Sequence, residues 1–151
     1  MCTDMGEQAC VTPEMSPQGA VTDYQDGKLT RKQLVDFAAG QPVSDKAGAA
    51  LHASSDGKFL YVSNRGTANQ MVVFAIDPAT AELKELQRRS VEGDHPREFA
   101  LDPSGKFLLI ANQKSNEIVV VERDPKTGLL GKTTQKLAID APSDIKFLVR
   151  Q

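Results

Sequence analysis

Few side chains in this sequence are equipped for chemistry. His52 and His95 are its two histidines, and imidazole can give or take a proton near neutral pH. Cys2 and Cys10 are its two cysteines, both within the first ten residues. Two thiols beside a chain end make neither a disulfide framework nor a four-ligand zinc site, and both histidines lie far along the chain. Inert thiols and no metal site are therefore expected. The arginines are more informative, because a guanidinium stays charged and grips oxyanions through paired N–H donors. Arg65 closes the stretch "DGKFLYVSNRG" (Asp56–Gly66), Arg97 stands in "HPREF", and Arg88–Arg89 is the densest basic spot. The adjacent pair reads as a solvated strand edge, and His95, in "EGDHPRE", as an exposed loop residue.

The elements that must hold these side chains are written twice. "LHASSDGKFLYVSNRG" (Leu51–Gly66) lies over "FALDPSGKFLLIANQK" (Phe99–Lys114), with Gly57 on Gly105, Phe59 on Phe107 and Asn64 on Asn112. "MVVFAIDPATAEL" then matches "IVVVERDPKTGLL", with a one-residue slip in the polar stretch between. Each unit holds four short apolar or alternating runs. The turns "SSDG" and "DPSG" separate the first two runs, and "DPAT" and "DPKTG" separate the last two. Runs such as "VVFAI" and "IVVV" are apolar at successive positions, which predicts strands buried on both faces.

Four antiparallel strands repeated about every 45–50 residues describe a β-propeller blade. A β-sandwich supplies no reason for the repeat. An α/β fold needs amphipathic helices, and only "LTRKQLVDFAA" hints at one, while fitting an outer strand better. The expected fold class is therefore all-β, a partial propeller over residues 20–151. Residues 20–37 form half a blade, 49–91 and 96–139 whole blades, and 141–149 the first strand of another. Residues 1–19 fit no blade strand and are expected to be a disordered extension. Asn64 and Asn112 share one place in the repeat, which assigns them a structural duty. Arg65 and Gln113 also share a place, but the residue type changes from cation to amide.

The totals exclude several classes. With 18 Lys and Arg against 20 Asp and Glu, the net charge is −2 and no basic stripe marks a nucleic-acid partner. No apolar run approaches the roughly 18 residues of a membrane helix, and no basic start precedes an apolar run as in a signal peptide. A cytoplasmic protein with no membrane partner is expected.

The two repeated motifs, with the trailing "PSDIKFL", make the chain resemble the seven-bladed propeller lactonases, which include the propeller type of bacterial 6-phosphogluconolactonase. The resemblance covers about residues 20–149 and corresponds to the C-terminal portion of such proteins. It implies hydrolysis of 6-phosphogluconolactone, a small phosphorylated sugar lactone, without a cofactor, at one mouth of the central channel. His52 matches the family's His in "A-x-x-H", Arg65 the Arg of "SNRG", Arg97 the Arg of "PRxF" and Gln113 the Gln after the second long strand. The resemblance thus implies His52, Arg65 and Arg97 as catalytic residues, with Arg65, Arg97 and Gln113 also binding substrate. Glu98 departs from the pattern, and a carboxylate there opposes an anionic substrate. A ring of seven such blades needs roughly 300–350 residues. Two further readings therefore stand beside the enzyme: an inactive fragment that self-associates through open blade faces, and a non-catalytic binding or scaffold propeller.

Overall fold

A computed structural model describes residues 7–13, 16, 18–37, 39–40, 42 and 47–148. Within them the chain forms eleven strands and no α-helix. The strands are β1 (Glu7–Val11), β2 (Gln18–Gln25), β3 (Lys28–Asp36), β4 (Gly48–Ala53), β5 (Phe59–Asn64), β6 (Gln70–Ile76), β7 (Leu83–Ser90), β8 (Pro96–Leu101), β9 (Phe107–Asn112), β10 (Glu117–Arg123) and β11 (Leu130–Ala138). They pair antiparallel into three sheets ordered β1-β2-β3, β4-β5-β6-β7 and β8-β9-β10-β11. This is the all-β, partial-propeller architecture read from the repeat.

The repeated phrase produces repeated local structure. The Ser54 amide donates to the Phe59 carbonyl at 2.8 Å, and the Asp102 amide to the Phe107 carbonyl at 3.0 Å. Gly57 and Gly105 turn these hairpins at φ 69° and 68°, a region open to glycine at little cost. The later "DP" turns match as well. The Ala81 amide donates to the Asp77 carbonyl at 2.7 Å, and the Gly128 amide to the Asp124 carbonyl at 2.8 Å.

Packing explains the continuous apolar runs. Alternate side chains of β5 point to opposite faces, and both faces are covered. Phe59 and Tyr61 join Met71, Val73, Phe99, Leu108, Ile110, Val119 and Val121 in a core between the second and third sheets. Leu60 and Val62 join Val21, Phe37, Val72, Phe74 and Leu83 in a core between the first and second. Every residue of β5 is buried. β9 and β10 differ, because only one of their faces has a sheet against it. Leu108, Ile110, Val119 and Val121 are buried, whereas Phe107, Leu109, Ile118 and Val120 are half-buried.

Polar groups bind the sheets together. The Tyr61 hydroxyl donates to the Gly128 carbonyl at 2.8 Å and accepts from Arg123 Nε. Arg123 lies over the Phe59 and Tyr61 rings, 5.6 and 5.4 Å from their centroids. Arg88 and Arg89 are not the solvated edge expected of them. Their side chains are 17% and 12% exposed, because each reaches across to a neighbouring sheet. Arg88 donates to the Phe37 carbonyl at 2.7 Å, and Arg89 to the Gly131 carbonyl at 3.0 Å.

Two further expectations are corrected. Glu7–Val11 is not a disordered extension but β1, in register with β2 from Glu7↔Tyr24 to Val11↔Ala20. Its five residues, Glu-Gln-Ala-Cys-Val, show neither an apolar run nor strict alternation, so edge pairing makes the strand. Cys10 faces the core beside Val21, where burial raises its thiol pKa and leaves it a poor nucleophile. Cys2 lies outside the described residues. At the other end, residues 142–148 form no strand, because no edge pairs with them; residue 149 lies outside the described set.

Candidate functional site

β4 and β8 are the first strands of their sheets, and they lie side by side. A cavity of about 430 Å³ opens over them, lined by Thr12, Gly48, Ala49, Ala50, Arg65, Arg97, Glu98, Ser143, Asp144 and Lys146. That volume suits a small molecule. Four separate segments supply its polar groups: the end of β1, the residue after β5, β8, and the coil after β11.

Arg65 follows β5 and is buried, with 6% exposure. Its amide donates to the Ala47 carbonyl at 2.7 Å, just as the Gln113 amide donates to the His95 carbonyl at 3.0 Å. The repeat thus fixes both backbones alike and varies only the side chain. The Arg65 guanidinium donates to the Gly48 carbonyl at 3.4 Å and to His95 Nε2 at 3.3 Å. A ring nitrogen that accepts from a guanidinium must be unprotonated, so the proton of neutral His95 sits on Nδ1. Burial first, then the charge of Arg65, holds the His95 pKa below its ordinary 6.5. His95 is half-buried, not the exposed loop residue its polar setting suggested. Its backbone, at φ 62°, is fixed by its amide donating a hydrogen bond to Asn69 Oδ1 at 2.9 Å.

His52, on β4, pairs through Nε2 with Glu98 Oε1 at 2.7 Å. Its ring stands edge-on to Phe99, with centroids 4.9 Å apart. Glu98 Oε1 also accepts the Phe99 amide at 2.8 Å, which fixes the carboxylate. His52 is therefore joined to the cavity through Glu98 and is not itself on the lining. Arg97 is exposed and lines the cavity. Lys146 Nζ pairs with Asp144 Oδ1 at 2.7 Å; this pairing lowers the Asp144 pKa and raises that of Lys146.

The structure thus gathers Arg65 and Arg97 on one cavity, with His52 paired to the lining residue Glu98. Gln113 is half-buried and not on the lining. Asn64 and Asn112 brace the turns that enter β4 and β8: Asn64 Oδ1 accepts the Ala47 amide at 3.0 Å, and Asn112 Nδ2 donates to the Val91 carbonyl at 3.2 Å. Sequence reasoning missed four contributors. His95 looked like a loop residue, and Glu98 looked only like a departure from a pattern. Lys146 gave no signal beyond its place in "PSDIKFL". Thr12 lies in the stretch read as disordered, yet its buried Oγ1 has no hydrogen-bond partner among the described residues. Among those residues no group of His, Cys, Asp and Glu could hold a metal ion, and no helix is long and apolar enough to cross a membrane.

The model of the family described as "Lactonase, 7-bladed beta-propeller" matches residues 3–147. The chain belongs to this family. It is 44% identical over 131 residues to a 6-phosphogluconolactonase of Formosa agariphila, covering 85% of this chain and 37% of that protein. Against the 6-phosphogluconolactonase of Bacillus subtilis it is 32% identical over 142 residues, covering 93% and 40%. The solved structure of a periplasmic gluconolactonase from Pseudomonas aeruginosa superposes with a TM-score of 0.88 at 46% identity, covering 93% of this chain and 39% of that one. The chain therefore spans about two fifths of the length of these relatives.

Proposed function

We propose that this chain carries the lactone-opening mouth of a propeller 6-phosphogluconolactonase. The observation that carries the reading is one cavity on which β8, the residue after β5 and the coil after β11 bring together Arg97, Arg65 and Lys146. Opening a lactone needs a base for water, donors for the developing oxyanion and a hold on the substrate. Glu98 accepts the Nε2 proton of neutral His52 and leaves Nδ1 to take a proton from water. The water oxygen adds to the lactone carbonyl carbon, and the oxyanion so formed faces guanidinium donors. The ring C–O bond then breaks, the alkoxide takes the proton back from His52 Nδ1 to become a hydroxyl, and the carboxylic acid so formed loses its proton to solvent and leaves as a carboxylate. Arg65, held rigidly by Gly48 and His95, is the oxyanion donor. Arg97 and Lys146, more exposed, hold the phosphate. Gln113 acts on the substrate only through the turn its amide holds. No cofactor enters these steps.

Opening of 6-phosphogluconolactone, corrected for its spontaneous hydrolysis and set beside the unphosphorylated lactone, tests this directly. Acceleration of the phosphorylated lactone by the purified chain is the expected result. A second reading is favoured by the half-covered outer face of β9–β10: the chain is a non-catalytic piece that self-associates. No acceleration together with a high oligomer supports it. We place the protein in the cytoplasm with no nucleic-acid partner, which cell fractionation checks.

A further inference from the structure

The last strand of each sheet carries a glutamine at one register position. Gln33 lies opposite Val21, Gln87 opposite Val73 and Gln135 opposite Val120, and the register shifts immediately beside each pair. The first two glutamines do the same thing. Gln33 donates from Nε2 to the Leu83 carbonyl at 3.3 Å and accepts the Leu83 amide on Oε1 at 2.9 Å. Gln87 donates to the Leu130 carbonyl at 2.9 Å and accepts the Leu130 amide at 2.8 Å. One side-chain amide thus satisfies both backbone groups of a residue on the next sheet's outer strand, where no further strand can do so. The third, Gln135, is exposed and has no such partner among the described residues.

The opposite end of the molecule presents the matching half. Leu29 lies opposite Tyr24, three residues beyond Val21, as Leu83 lies opposite Ile76 and Leu130 opposite Arg123. No glutamine brackets Leu29 among the described residues, and it is 58% exposed. Apolar side chains flank both halves. Leu34 and Val11, each paired to Ala20, are exposed at the first end, and Leu137, paired to Ile118, is exposed at the second.

We propose that a second copy of this chain docks end to end, with Gln135 of one copy bracketing the Leu29 peptide of the next. The contact continues an interface already made twice within the chain, and it joins unlike surfaces, so it can propagate or close into a ring. It rests on the self-association reading and is independent of lactone hydrolysis. Each internal junction also has a bracket running the other way. Arg88, next to Gln87, donates to the Phe37 carbonyl, and Lys136, next to Gln135, to the Glu92 carbonyl at 2.8 Å. The residue next to Gln33 is Leu34, so a junction between copies lacks this second bracket and is weaker than those inside.

Sedimentation velocity of the intact chain across a concentration series tests the proposal, with thermal melting as the folding control. Concentration-dependent association is expected. Gln135→Ala and Gln135→Glu should each weaken it about tenfold or more, the scale of a lost hydrogen-bond pair. Leu34→Arg, which restores the second bracket, should strengthen it. A monomer at every concentration overturns the proposal, as does association that Gln135→Glu and Leu34→Arg leave unchanged.

Discussion

Arg65 and Gln113 share one backbone setting, and only the side chain separates a buried cation on the cavity from an amide off its lining. Arg65→Lys keeps the charge and loses the planar fork that serves the Gly48 carbonyl and His95 together. Lactone turnover should fall about tenfold to a hundredfold, with little change in melting temperature, measured by initial rates corrected for spontaneous opening. Glu98→Gln separates two roles of one carboxylate. It removes the acceptor that orients His52 and also removes a negative charge from the cavity proposed to hold an anionic substrate. Both kcat and KM for the phosphorylated lactone should fall, and a purely structural residue would not produce that split. His95 sets an acid limit on stability. Its folded pKa lies below 6.5, mainly through burial, so the unfolded chain takes up the proton first as pH falls. The stability tied to neutral His95 is full above pH ~6.5 and is lost as the pH drops through the folded value. Chemical denaturation between pH ~7.5 and ~5 should show a decline that His95→Gln flattens.

At the scale of elements, the two "DP" turns offer a paired test. Gly128 sits at φ 75° and Ala81, its counterpart, at φ 55°. A left-handed alanine costs roughly 1–2 kcal/mol relative to glycine, offset in part by the greater freedom of glycine when unfolded. Ala81→Gly should therefore stabilise the fold by up to about 1 kcal/mol in denaturant titration. Gly128→Ala should destabilise it by more, because a Cβ there would overlap the Phe59 ring. Tyr61→Phe should cost about 1–3 kcal/mol, since it orphans the Gly128 carbonyl and one Arg123 donor in a buried junction. Much of this architecture was legible because it recurs: "DGKF" and "SGKF" must make one hairpin, and "VVFAI" must be buried twice over. β1 was not legible. Its five mixed residues form a strand because β2 offers an edge, and edge pairing leaves little trace in composition. The coil at 142–148 is the converse, a stretch with Ile145, Phe147 and Leu148 at strand-like spacing but no edge to join. The cavity was legible through Arg65 and Arg97 but not through His95, Thr12 or Lys146. Those three come from a loop, a strand end and a coil, where position depends on tertiary contacts rather than on periodicity.

The whole molecule is a stack of three sheets with two cores between them, and the side chains proposed for chemistry and those proposed for association are different ones. Association through Gln135 and chemistry at Arg65 should therefore vary independently in variants of each. The account turns on one claim, that the cations over β4 and β8 form a working anion and oxyanion site. Saturation kinetics of 6-phosphogluconolactone opening by the intact chain and by its Arg65→Met and Arg97→Met variants tests that claim most directly. The account predicts acceleration above the spontaneous rate, a collapse of turnover in Arg65→Met, and a raised KM in Arg97→Met, with all three proteins folded. Opening at the spontaneous rate by the intact chain, or equal rates in all three proteins, would contradict it.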